Sequence, residues 1–135
     1  MAVTYDISNK IQSLLWGNTT YTPPTTWYLG ISTTTVANDA TGITEPTDTA
    51  YARIAIPNLT TSFTTPVNGM VQNKIAFQFP ESLVSWGTIT DFFISTAVTG
   101  GSVEFFGKLT LSRTVETGTV LLLSIGALQM TMANV

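Results

Sequence analysis

The sequence predicts an all-β fold, a single-domain β-sandwich of Greek-key or jelly-roll type with one short N-terminal helix. Three observations carry this. The stretch VEFFGKLTLS places Val103, Phe105, Leu109 and Leu111 on one side and Glu104, Lys108, Thr110 and Ser112 on the other, the two-residue period of a half-buried strand. Seven or so short apolar runs are separated by turn signals such as Asn68-Gly69, Thr99-Gly-Gly-Ser102 and Glu116-Thr-Gly-Thr119. Threonine, a strand-favouring residue, makes up about a fifth of the chain. The pattern contains no internal repeat of the kind that builds a solenoid.

Taken in order, Asp6 to Trp16 is the one helix candidate. Ile7, Ile11, Leu14 and Leu15 follow helical spacing, Thr4 or Asp6 is placed to cap the start, and Gly17 sits where a left-handed C-cap belongs. About three turns are too few to be stable alone, so the apolar face must dock, on this domain or on a neighbouring subunit. The expected division is therefore an N-terminal helix or arm over residues 1–17 and a sandwich over residues 18–135. Asn18 to Thr26 is a linker in which Pro23-Pro24 forces an extended path. Trp27 to Ser32 reads as a strand with Trp27, Leu29 and Ile31 inward. Thr33 to Thr49 is a long polar connection, the type of segment that carries function or moves.

Tyr51 to Ile56 resumes the sheet with Ala52, Ile54 and Ile56 on one face, and Pro57 stops it. A Thr/Ser-rich piece around Phe63 leads to a strand with Ile75, Phe77 and Phe79 on one face, ended by Pro80. Thr88 to Ser95 is apolar on both faces, and the last apolar run, Val120 to Met132, is split at Gly126.

Composition limits the chemistry. With 135 residues there is room for one substantial core and no second domain. No histidine and no cysteine are present, which removes Ser-His-Asp catalysis, thiol nucleophiles, disulfides and the usual zinc ligands. Five basic residues against eight acidic ones are too few to neutralise a run of phosphates, so no nucleic-acid partner is expected. A mean hydropathy of +0.29 with 10% charged residues leaves little polar cover, and an assembly component, a homo-oligomer above all, is the expected class. Val120 to Ala133 is too short and too polar to cross a bilayer. The start lacks a basic and apolar leader, so manufacture in the host cytoplasm is expected.

Each constellation is weighed against its ordinary role. Asp39, Glu45 and Asp48 share the polar loop and could offer oxygens to a hard cation, but their spacing matches no defined calcium loop, so no metal is assigned. Asp91 and Glu104 lie on neighbouring strands, where solvent-facing acids are the ordinary case and a catalytic pair is the exception. Trp16, Trp27, Trp86, Tyr28 and Tyr51 suit core and interface anchoring better than a carbohydrate platform. Arg53 and Arg113 are placed to pair with acids across strands or subunits. Asn18-Thr19-Thr20 and Asn58-Leu59-Thr60 match the glycosylation triplet without a leader to give it meaning.

An ordered set of motifs runs through nearly the whole chain: Leu14-Leu15-Trp16-Gly17, Tyr21-Thr22-Pro23-Pro24 leading into WYLGISTT, and Tyr51-Ala52-Arg53, followed by FQFPES, WGTITDFFI and FGKLTLSRTVETGTVLLLSIGALQMTM. This set resembles a family of small tailed-bacteriophage virion proteins, labelled tail-fibre proteins, some of which look like capsid decoration or cement proteins. The glycine-poor Thr33 to Thr49 loop departs from the shorter, Gly-rich connection the resemblance implies. No catalytic residue and no cofactor come with it. The resemblance implies a virion structural protein that binds the major capsid or tail protein. Capsid decoration is the first expectation, because one globular domain lacks the repeats of a fibre shaft. A tail-fibre or tail-tip component and a glycan-binding adhesion module are the alternatives. The expected partner interface is Ile7, Ile11, Leu14, Leu15 and Trp16 of the helix with Asp39, Glu45 and Asp48 of the loop.

Overall fold

In the computed structural model, which describes residues 3–132, one helix precedes eight strands. Met1, Ala2 and residues 133–135, which fall within the expected arm, sandwich and terminal apolar run, lie outside the described residues. Helix α1 (Tyr5–Leu15) starts at Thr4, whose backbone is extended but whose hydroxyl caps nothing in the helix. Thr4 instead donates its Oγ1–H to the Val103 carbonyl at 2.8 Å and its N–H to the Glu104 carbonyl at 3.0 Å, which ties the helix start to the sheet. The helix ends as the sequence predicts. Gly17 takes φ +73°, and the Gly17 and Asn18 amides bond back to Leu14 and Ser13, closing the last carbonyls in a Schellman pattern.

Strands β1 (Thr26–Ser32), β2 (Ile54–Pro57), β5 (Gly87–Ser95) and β6 (Val103–Val115) form one antiparallel sheet in the order β2-β1-β5-β6. Strands β3 (Met70–Gln72) and β8 (Gln129–Thr131) form one two-stranded ribbon, and β4 (Phe77–Gln78) and β7 (Leu122–Leu123) another. The fold is therefore all-β with one short helix. Leu29, Ile31, Ile56, Phe92 and Ile94 of the large sheet pack with Phe77, Phe79, Leu123, Leu128 and Met130 from the ribbons and their flanks, and this is the main core.

The central strands are buried on their other side too. Val36 and Ile43 of the long loop pack against Phe93 and Phe106. A polar loop with two inward aliphatics thus covers the second face, which explains why Thr88 to Ser95 reads as apolar on both sides.

Three strand expectations are corrected. The strand expected from Tyr51 begins only at Ile54, because the Tyr51 ring turns inward to stack on Phe79 with centroids 5.9 Å apart. Ile75 does not share the core face of Phe77 and Phe79 but is exposed. The buried Asn73 carboxamide donates to the Ile75 and Ser124 carbonyls and accepts from the Leu128 amide, and this bends the chain ahead of the strand.

The alternation expected along β6 fails at both ends. Pairing with β5 passes from Ile89↔Arg113 to Asp91↔Lys108, so residues 109–112 face Thr90 alone, and Leu111 swings out to 63% exposure. Further on, Ile94 pairs with Phe105 and Ser95 with Val103, which leaves Glu104 as an extra residue turned inward and fully buried.

Candidate functional site

The expected interface residues divide into two groups. On α1, Ile7 is buried against the domain itself and Ile11 lines an apolar groove of about 300 Å³ with Tyr21, Pro23, Trp27 and Phe105. Leu14, Leu15 and Trp16 are exposed at 45%, 70% and 78%. The helix is thus anchored at its first turns and presents an apolar ridge at its end, a surface that large side chains leave exposed at a cost unless a partner covers it.

The anchor has an ionic part. Lys10 Nζ donates to Asp6 Oδ2 at 2.6 Å and to Glu104 Oε1 at 2.5 Å, and it lies 5.9 Å from the centre of the Tyr21 ring. Burial would lower the Lys10 pKa, but the two carboxylates hold it above its ordinary value. Burial pushes the Glu104 carboxyl up, while the hydrogen bond from Lys10 holds Asp6 down. Glu104 Oε2 and the Tyr21 hydroxyl are buried with no hydrogen-bond partner among the described residues. Sequence reasoning placed Glu104 on the solvent face. The half-buried cation that could have signalled otherwise comes from 94 residues away.

Of the loop acids, Glu45 and Asp48 are brought inward while Asp39 stays at the surface, and none meets another. Asp39 is exposed and closes its own turn, accepting from the Thr41 amide and hydroxyl. Glu45 accepts a fork from Arg53, Nε at 3.0 Å and Nη2 at 2.9 Å, and the Tyr51 hydroxyl at 2.6 Å. Burial raises the Glu45 pKa, and the bonds from Arg53 and Tyr51 outweigh it and leave it lowered. Arg53 Nη1 also donates to the Ala97 and Gly100 carbonyls, so one guanidinium ties the loop to the turn between β5 and β6.

Asp48 is buried. Its Oδ1 accepts the Ala50 amide, and its Oδ2 accepts the Leu83 amide at 2.7 Å, the Trp86 indole at 2.9 Å and the Val84 amide at 3.2 Å. The Ala50 bond, with those from Trp86, Leu83 and Val84, holds its pKa down at about 2 against desolvation. Among the described residues no three acids stand close enough to hold a metal ion.

Asp91 and Glu104 are both buried and do not meet: Asp91 lies by Lys108, and Glu104 by Lys10. The aromatic set does not form one platform either. Trp86, Tyr51 and Phe79 make an internal cluster with centroids 5.6–6.3 Å apart, and Trp27 packs edge-on to Phe105, while Trp16 stands outside. The arrangement can bind through its surface.

Among the described residues no helix is long and apolar enough to cross a membrane. Comparison with protein families matches residues 2–131 to the family described as Podophage GP4 fiber I protein gp80. No curated protein matches the chain.

Proposed function

Because the chain belongs to the podophage GP4 fiber I (gp80) family, a family of phage virion structural proteins, we propose that it is a non-enzymatic, self-associating subunit of the tail-fibre apparatus, docked on a neighbouring virion protein through the end of α1. The family match over residues 2–131 carries the virion role. The ridge of Leu14, Leu15 and Trp16, exposed on a helix whose first turns are fixed to β6, supports the mode of attachment. Rigid presentation matters, because an ordered ridge loses little further entropy on docking.

Capsid decoration is the second reading, favoured by a fold of one globular unit with short ribbons in place of a shaft. Gold-labelled antibody on purified virions, with copy counting by mass spectrometry, separates the two. A fibre subunit labels the tail in low copy. Label over the head at hundreds of copies supports decoration and overturns the fibre assignment.

A further inference from the structure

A second cavity, which shares no lining residue with the groove beside the helix, has the opposite character. It measures about 390 Å³ and is lined by Asn38 of the long loop, Asp91 of β5, Phe106 and Lys108 of β6, and Gln129 and Thr131 of β8. This is within the roughly 300–1,000 Å³ range of small-molecule sites. Its polar groups are largely unengaged: the side chains of Asn38, Gln129 and Thr131 make no hydrogen bond to another described residue. The Asp91 carboxylate is almost fully buried at the cavity floor, where Oδ2 accepts the Val36 amide at 3.2 Å and Oδ1 accepts Lys108 Nζ at 3.4 Å. A carboxylate offers about four acceptor positions, so two remain. Lys108 also donates to Thr35 Oγ1 at 3.1 Å and spans the mouth.

Charge decides the ligand class. One carboxylate faces one ammonium, so the cavity has no net charge with which to hold an anion or a cation. What it offers is a rim of mixed donors and acceptors over a floor closed by the buried Asp91 and Phe106. That combination suits a molecule carrying many neutral hydroxyls. We infer that the cavity between Asn38, Lys108 and Gln129 is a binding site for a neutral saccharide unit. The hydroxyls bond to the Asn38 and Gln129 amides, Thr131 and Lys108, and the Asp91 pair fixes the floor. The site does not depend on where in the virion the protein sits.

The test is titration of the full-length ¹⁵N-labelled protein with glucose, galactose, rhamnose and N-acetylglucosamine, beside glucuronate and glucosamine, each to about 50 mM, since single sugars in open sites bind at millimolar strength. The expected result is saturable shifts at Asn38, Gly107, Gln129 and Thr131 with at least one neutral sugar, weaker with both charged ones. Gln129→Ala and Thr131→Val, on a two-stranded ribbon at the rim, are expected to weaken binding fivefold or more while the rest of the spectrum is retained. No shift with any neutral sugar overturns the inference. So do shifts confined to other residues, binding unchanged by both variants, or tighter binding of a charged sugar.

Discussion

The Phe93 ring lies flat across Gly30, its cross-strand partner, so closely that a methyl group at Gly30 would overlap the ring. Arg53 packs on the same ring, its Cζ 4.9 Å from the centroid. On the opposite face of β5, Phe92 covers Gly107 of β6 in the same way, where an added Cβ would come within 2.9 Å of the ring. Two glycines thus make the recesses that let adjacent phenylalanines be buried on opposite faces of one strand.

Gly30→Ala is therefore expected to destabilise the protein by about 1–3 kcal/mol, as an overpacked core does, measured by urea unfolding. The cost arises from displacing Phe93, so it should be non-additive with Phe93→Leu. A neutral Gly30→Ala, or strict additivity, would show that the ring moves freely.

The knot that covers Phe93 gives a second expectation. Arg53→Ala leaves Glu45 and two carbonyls without their donor and should cost about 2–3 kcal/mol, less than a fully buried pair because Glu45 is 28% exposed. Arg53→Lys keeps the charge and loses the fork, so it should recover less than half of that loss. Full recovery by lysine in thermal unfolding would mean that charge alone holds the loop.

What the sequence made legible and what it hid follow one physical division. Local signals survived: the Gly17 cap, the core-facing side of β1 with Trp27, Leu29 and Ile31, and the Gly100–Gly101 turn depend on neighbours in the chain. Glu104, Asp48 and Leu111 were misjudged because their burial depends on distant segments. Glu104 is drawn inward by Lys10 of the helix, Asp48 by three donors 35–38 residues further along, and Leu111 is released by a bulge against β5. A polar residue that tethers a segment is indistinguishable in sequence from one that faces water. The helix ridge was legible as apolar, but the separation of buried Ile7 from exposed Leu15 and Trp16 needed the packing against β6.

Asp48 sets an acid limit on stability. Its folded pKa of about 2 lies below its ordinary value of 3.8, so its contribution is complete above about pH 4 and is lost as pH falls through the folded value. Thermal midpoints should therefore drop between pH 4 and pH 2. Asp48→Asn should be less stable at pH 7 and show a flatter acid limb. If the slope of that limb is the same in the variant, other carboxylates govern acid unfolding.

The end of α1 and its start should respond to change in opposite ways. Leu15→Ser with Trp16→Ser alters side chains that touch little of the domain, so folding stability should stay within about 0.5 kcal/mol. Incorporation into virions should fall tenfold or more, measured by complementing a phage that lacks the gene. Deleting residues 1–16 is a different experiment, because it uncovers Phe105, removes Ile7 from the core and strips Lys10 from the buried Glu104. An unpaired buried carboxylate together with exposed apolar surface should leave that truncation aggregated or unfolded. Should the truncation instead fold as a soluble β-rich domain, α1 is a detachable arm. Should the double serine variant enter virions at the normal level, the ridge is not the docking surface, and the sheet edge at β2 is the next surface to alter.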